Sequence, residues 1–403
     1  MTNLSKKAIY ALPCEHSYSA SRQRHACDMV VGRRMRAFLA ALFLAHLFLS
    51  NLSPGAADAA ASSPYPPSPV IESITWHWET HRTAALGSDL WPITWAADGH
   101  LYAAWGDGGG FDGTDQDGRV SLGFARIEGM AEHFIAANVN GGKNPENPPS
   151  FPRSGKTGGI LSVGGVFYAW INRQNGPWPD VDQALAWSCD RAATWMNSFW
   201  VFPRGKDNFK PCTFLNFGKN YSGVPPYLKG FVYFYGIRQG RDTEVYMGRV
   251  PIDKIQDRAA YEFLCGLPDQ QPVWSTDLAR LHPVFADPRG IGDIATVVYH
   301  PALKRFLLTT FHKGPGQLGI FDAPQPWGPW TTLAYYEDWG SMGTEGEGLT
   351  CSFPSKWMSA HGLTLWCVFS VYGDGAKRGI HAHDRFNLVK ATLKLRARRL
   401  DSP

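Results

Sequence analysis

Residues Gly87 to Gly110 read GSDLWPITWAADGHLYAAWGDGGG, and this stretch decides the fold. Two apolar runs flank Ala97-Asp98-Gly99-His100, and an Asp-Gly turn between strand-like segments predicts a β-hairpin. The arms of a hairpin run in opposite directions, so its outer ends return to one edge of the sheet. Asp89 and Asp107 stand at those ends and are expected close together. Glycines surround them, Gly87 on one side and Gly106, Gly108, Gly109 and Gly110 on the other, so no bulky neighbour is expected to cover the carboxylates. Solvated loop ends would read the same way; paired acids on an open surface point instead to sugar chemistry.

The hairpin recurs. Gly158–Val163 leads through Gly164-Gly165 into Val166–Trp170, and Gly292–Tyr299 leads through His300-Pro301 into Lys304–Thr310. Leu349–Phe353 is followed by Leu363–Ser370, and a less distinct copy lies around Tyr227 to Tyr235. Each second arm is aromatic and β-branched, as strands prefer. Between the copies lie outer-strand turns: Leu185–Trp195, which resembles the Ser-x-Asp-x-Gly-x-Thr-Trp turn of sialidase-type propellers, then Tyr261–Ser275 and Phe321–Trp330. Short strands recurring every 55 to 70 residues or so predict an all-β, five-bladed β-propeller. A β-sandwich or β-helix is the competing architecture. Only Pro251–Asp257 hints at a helical period.

In a propeller, the first strand of each blade lines a central channel, and loops gather at its mouth. Asp293 opens the fourth unit much as Asp89 opens the first, while Glu345 and Glu347 precede the fifth. These carboxylates are expected to converge with Asp89, Asp107 and the Asp112–Gly118 loop.

The start of the chain reads as a leader. Arg33, Arg34 and Arg36 precede the apolar FLAALFLAHLFL from Phe38, and the small residues Ala56–Ala60 follow, which is the pattern of a secretory signal peptide. Residues 1–60 are assigned to that signal and what precedes it, 61–70 to a Pro/Ser linker, and 71–403 to a single propeller domain. The expected location is secreted or periplasmic, with no stable membrane span once the signal is cleaved. The chain holds 39 Lys/Arg and 35 Asp/Glu, and without its first 60 residues 32 of each sign remain. Zero net charge gives no reason to expect nucleic acid or an anionic membrane as partner. Five cysteines follow the leader, an odd number with no metal spacing. The oligomeric state is not readable.

Several motifs fail on inspection. Ser154-Gly155-Lys156-Thr157 ends like a phosphate-binding loop, but Ser150 stands where the first glycine is required. His77 and His81 are four apart in strand-like sequence, on one face but about 13 Å apart. His381 and His383, with Asp384 following, are weak metal candidates. No cofactor is expected, and a structural or site-bound divalent cation stays open.

The acid pair remains. Cleaving a glycosidic bond needs an acid to protonate the leaving oxygen and a carboxylate to activate water or attack the anomeric carbon. Asp89 and Asp107 meet that requirement as catalytic candidates, and two like charges close together can keep one member protonated. Trp91, Trp95, Trp105, Trp170 and Tyr168 are candidate sugar platforms, Trp91 and Trp105 foremost, although alternate strand positions must point into blade packing. Arg119, Asp293 and Glu345 complete the expected substrate contacts. An enzyme should place its acids within about 10 Å of each other above an open cleft. A catalytically inactive polysaccharide-binding propeller should offer aromatic rings and salt-bridged or distant acids, and an interaction scaffold an apolar patch with no cleft.

Gly87–Pro92, Thr94-Trp95, Asp98-Gly99, Leu101-Tyr102, Trp105–Gly110, Gly118–Gly123 and Ala125–Ile127 together resemble the bacterial domain-of-unknown-function 4185 family, and Phe386–Ala391 looks like its closing strand. The resemblance implies a five-bladed propeller. Some members of that family are endo-acting D-arabinanases of glycoside hydrolase family 183, which cut α-linked D-arabinofuranose polymers of mycobacterial-type cell walls. Their two first-blade catalytic aspartates fall on Asp89 and Asp107. The resemblance thus implies a secreted glycoside hydrolase cleaving furanosyl linkages, with a polysaccharide as its partner. The Asp112–Asp117 stretch resembles an insertion beside the site.

Overall fold

The computed structural model describes residues 63–143, 155–173, 182–203, 205, 209–292 and 294–397. The leader and Asp293 lie outside them. A long strand, β1 (Ile71–Ala84), comes first. Blade one then contains β2 (Ile93–Trp95), β3 (Leu101–Gly106), β4 (Leu122–Glu128) and β5 (Ile135–Asn140), paired in chain order. Blade two repeats this with β6 (Lys156–Val163), β7 (Val166–Arg173), β8 (Asp182–Ser188) and β9 (Met196–Pro203). Blade three is larger: β10 (Lys210–Phe214), β11 (Phe231–Arg238), β12 (Arg241–Pro251), β13 (Glu262–Gly266) and β14 (Val273–Ser275), with β15 (Pro283–Ala286) also paired to β12. Blade four holds β16 (Thr296–His300), β17 (Arg305–Phe311), β18 (Leu318–Ala323) and β19 (Thr331–Tyr335). Blade five holds β20 (Glu347–Ser352), β21 (Thr364–Tyr372) and β22 (Phe386–Leu395), completed by β1 on its outer edge.

The first strands of successive blades are neighbours, β2 beside β6, β6 beside β10, β10 beside β16 and β16 beside β20. Blade five returns to blade one where the Leu90 amide donates to Ser370 Oγ at 3.0 Å and the Thr350 hydroxyl donates to the Leu90 carbonyl. The ring is closed a second time by β1, which pairs antiparallel with β22 from Ile71 opposite Leu395 to Ala84 opposite Phe386. This is the expected all-β, five-bladed propeller. The predicted turn also forms, with β2 pairing β3 and the Ala96 amide donating to the His100 carbonyl at 2.9 Å.

Central strands are buried on both faces. Every residue of β3, β17 and β18 is buried, including the paired Arg305 and Asp322, whereas the outer β5 alternates in exposure. The cores lie between blades: Tyr102, Phe124, Phe167 and Trp195 fill the space between blades one and two. Trp91, Trp105, Trp357, Trp366 and Phe386 fill that between blades five and one. Sheets splayed about an axis leave wedge-shaped gaps, and large rings fill them with few side chains. Much of the tryptophan content is packing of this kind.

Two readings need correction. The less distinct third copy begins earlier than Tyr227, because its first arm is β10, short, with Pro211 inside it and separated from β11 by a long loop. Pro251–Asp257 holds only a single 3-10 turn, Ile252–Lys254. His77 and His81 do not meet: a bulge separates their registers, and they contact Thr392 and Asn387 respectively.

Phe386 is fully buried and its ring lies 5.2 Å from Trp91, 5.3 Å from Phe111 and 5.5 Å from Phe134. It ties the closing strand of blade five to blade one, so Phe386→Ala should cost about 3–5 kcal/mol. Urea denaturation checks this; a loss under about 1 kcal/mol would show that the seam tolerates the cavity.

Candidate functional site

Asp89 lies just before β2, and it exchanges backbone hydrogen bonds with Gly106 at the end of β3, 2.8 Å one way and 3.0 Å the other. That bridge fixes the Asp89 backbone beside the residue preceding Asp107. Gly106 cannot carry a side chain here, because a Cβ would stand 2.4 Å from Asp89 Oδ1. Leu90, Trp91 and Asp107 adopt left-handed backbone angles, φ +71, +57 and +53. Such angles cost non-glycine residues about 1 kcal/mol or more each and persist only where surrounding packing enforces them.

The two acids have different surroundings. Asp89 is only 3 % exposed, so the open setting expected of it is not what the fold provides. Tyr372, from β21, donates its hydroxyl to Asp89 Oδ2, while Oδ1 is buried without a hydrogen-bond partner. Burial is the largest cause pushing the Asp89 carboxyl up to about 7; the Tyr372 hydrogen bond and Lys156 oppose it, and the charges of Asp107 and Asp384 add to it. Desolvation therefore outweighs the like-charge effect anticipated from the pair. Asp107 faces two cations: Lys156 Nζ contacts Oδ1, and Arg119 Nη2 lies 3.3 Å from Oδ2. Arg119 is shared with Asp115 of the neighbouring acidic loop.

Asp89, Asp107, Lys156 and Tyr372 line a cavity of about 400 Å³ at the ring's centre. Asp89 and Asp107 enter it from blade one, Lys156 from blade two, Lys210 from blade three, Ile294 from the start of blade four, and Glu347 with Tyr372 from blade five. The ring thus gathers at one mouth the residues that precede or begin its innermost strands. A concavity of this size, lined by charged groups and by apolar residues such as Leu90, Ile294 and Leu349, fits a small ligand or part of a larger one.

The remaining expected contacts fare differently. Trp91 and Trp105 are 1 % and 0 % exposed with ring centroids 6.0 Å apart, so neither has a face open to a sugar. Trp170 and Tyr168 are likewise buried. Strand alternation does not say whether a ring points into an inter-blade wedge or the channel mouth, and here the wedge takes them. Arg119 reaches the site through Asp107, Glu345 is exposed and apart from the cavity lining, and Asp293 lies outside the described residues.

Sequence reading missed three neighbours. Lys156 belongs to the Ser-Gly-Lys-Thr stretch dismissed as a phosphate loop. Tyr372 carries no local motif. Asp384, noted only beside His383, has φ +52, a buried partnerless Oδ1 and a carboxyl raised chiefly by burial and further by the charge of Asp107, and its own charge is felt at Asp89. Among the described residues, no group of three or more His, Cys, Asp or Glu is placed to hold a metal ion.

Fold and site together define a five-bladed propeller with an acidic, cation-braced cavity at one mouth. Residues 168–344 match the family model described as Domain of unknown function (DUF4185), a span running from β7 to the approach to β20. The acid pair and the closing strand lie outside that span, and no curated protein matches the chain. Solved structures similar to it include a GH43_1 enzyme from Xanthomonas citri, 11% identical with TM-score 0.47, covering 81% of this chain and 97% of that one. The α-L-arabinofuranosidase PaAbf62A from Podospora anserina is 10% identical with TM-score 0.44, covering 77% and 92%. Zg3597, a family 117 glycoside hydrolase from Zobellia galactanivorans, is 10% identical with TM-score 0.40, covering 80% and 92%.

The Asp89 carboxyl titrates near 7 in the folded protein against an ordinary 3.8. Between those values the folded protein keeps a proton on Asp89 that the unfolded chain has released, so the contribution of Asp89 to stability falls as pH rises from about 4 to about 7. Asp89→Asn abolishes this titration. Its stability relative to wild type should climb across that window and then level off, by at most about 4 kcal/mol at roughly 1.4 kcal/mol per pH unit. Denaturation of both proteins from pH 4 to 8 measures this, and a pH-independent difference contradicts it.

Proposed function

We propose that this protein is a secreted glycoside hydrolase acting on furanosyl linkages, with Asp89 as general acid and Asp107 as the partner carboxylate. The observation that carries the reading is the contrast within one cavity: a buried carboxyl titrating near 7, beside a carboxylate faced by two cations. Environments that separate two carboxyls in this way assign acid and base.

The chemistry follows from those positions. Tyr372 donates to Asp89 Oδ2, so the proton of the neutral acid resides on Oδ1. Delivery of that proton to the glycosidic oxygen, as the bond to the anomeric carbon breaks, requires the Asp89 carboxyl to turn from its buried position toward the cavity. Asp107 either takes a proton from an attacking water or attacks the anomeric carbon itself, and the separation between the carboxyls in the substrate complex decides which. Lys156 holds Asp107 in place and supplies opposite charge beside it.

The family resemblance supports an arabinofuranose polymer as substrate and endo-acting cleavage as the mode. The basic, apolar and small-residue order of the leader supports an extracytoplasmic location, where such a polymer would be met.

One observation favours a second reading. Asp107 is salt-bridged, as expected of a polysaccharide-binding propeller without activity. Against that reading, Tyr372 is the one aromatic side chain among the described cavity-lining residues, and a binding module should present more.

Incubation of the protein with arabinofuranans, galactans and other bacterial glycans should release oligosaccharides from at least one polymer. Asp89→Asn and Asp107→Asn should each lower the rate by about 10²-fold or more while remaining folded. Polymer binding without release, unaltered in both variants, replaces the hydrolase with the binding propeller. The pH profile is a separate check. Because Asp89 acts in its protonated form, kcat/KM should fall as pH rises through about 7, and a rate still increasing there assigns the acid elsewhere.

A further inference from the structure

Blade two carries a row of polar side chains that the acid pair does not use. Lys156 on β6 is directly opposite Asn172 on β7, and Asn172 is directly opposite Gln183 on β8. Residues directly opposite one another across neighbouring strands project from the same sheet face. The three therefore form a line running outward from the ring's centre, in steps of roughly 4.8 Å. All three line the cavity. No other blade contributes to its described lining from a third strand, so the cavity reaches outward over blade two.

The two amides are enclosed: Asn172 is 6 % exposed and Gln183 5 %. Asn172 Oδ1 is buried with no hydrogen-bond partner. A buried amide oxygen left unpaired is costly, and one kept on a cavity wall is an acceptor suited to a ligand's donor. Each amide also offers N–H donors, so the pair can both accept from and donate to adjacent hydroxyls. Lys156 is already engaged with Asp107 and with the Ser121 carbonyl, which leaves the outer part of the row uncharged. Neutral groups with paired donors and acceptors match the hydroxyls of an uncharged sugar.

We propose that Asn172 and Gln183 form a subsite for the sugar unit next to the one held at Asp89 and Asp107. The subsite binds that unit through its hydroxyls and directs the glycan chain outward across blade two. This rests on the hydrolase reading, adding the direction of the bound chain and the residues that set it.

The test uses the full chain, with an arabinofuranose hexasaccharide and an arabinofuranose disaccharide as probes. Asn172→Ala should raise KM for the hexasaccharide about tenfold with little change in kcat, and should shift the lengths of the products. The disaccharide, too short to occupy the acid pair and the whole row, should be affected far less. Gln183→Ala should act in the same direction and stands in if Asn172→Ala fails to fold. In an Asp89→Asn background, adding Asn172→Ala should weaken hexasaccharide binding by the same factor in calorimetry. If wild type cleaves the hexasaccharide while the folded variants keep its KM and product lengths, the subsite is wrong and the hydrolase reading survives. If wild type neither cleaves nor binds either probe, the arabinofuranose subsite falls, and the hydrolase reading stands or falls on the wider glycan panel.

Discussion

The candidate site depends on one pair of backbone hydrogen bonds, those exchanged by Asp89 and Gly106. They hold the chain entering β2 against the chain leaving β3, and they bring one acid into the interior while leaving the next residue of the partner strand at the cavity. The missing side chain at Gly106 makes room for the Asp89 carboxylate, and the left-handed turns at Leu90, Trp91 and Asp107 carry the backbone around it. Burial then does what proximity of two charges alone would not. It favours the neutral form of Asp89, with Lys156 and Tyr372 limiting the effect and Asp107 and Asp384 adding to it.

The rings that fill the inter-blade wedges are the scaffold for this geometry. Trp91 and Trp105 stack beneath the acids, and the Trp105 indole donates to the Gly108 carbonyl at 3.3 Å. Gly110 and Gly123 both lie close against that indole, where an added Cβ would collide with it. The glycines around Asp107 thus serve two ends, permitting sharp turns and letting the backbone approach a large buried ring. Residues that resemble sugar platforms in the sequence instead hold the strained loop in place.

The hairpin and the blade count were legible because their causes are local. An Asp-Gly turn fixes the antiparallel pairing of β2 with β3, and that pairing, extended by the Asp89–Gly106 bridge, brings Asp89 and Asp107 to the same end of the hairpin. Tyr372, Lys156 and Asp384 were not legible as site residues because each comes from another blade or its loop. Their approach is set by ring closure, which leaves no trace in spacing. Asn172 and Gln183 were hidden for a related reason: their alignment with Lys156 depends on register across three strands, and a one-residue slip would turn the row to the opposite face. The expected role of Glu345 failed more narrowly, since it is Glu347, two residues on, that enters the cavity.

Closure by β1 has a consequence for biosynthesis. Asp89 belongs to the first blade, whereas Tyr372 and Asp384 belong to the last, so the acid's surroundings straddle the seam where the two ends of the domain meet. A nascent chain that has emerged only through its fourth blade has both aspartates but nothing from the fifth to enclose Asp89. In that state no fifth-blade side chain covers Asp89. The fifth blade, whose strand β22 pairs with β1 and whose strand β21 carries Tyr372, must be in place before that enclosure exists. The environment of an acid in the first blade is thus assembled only when the last blade joins it.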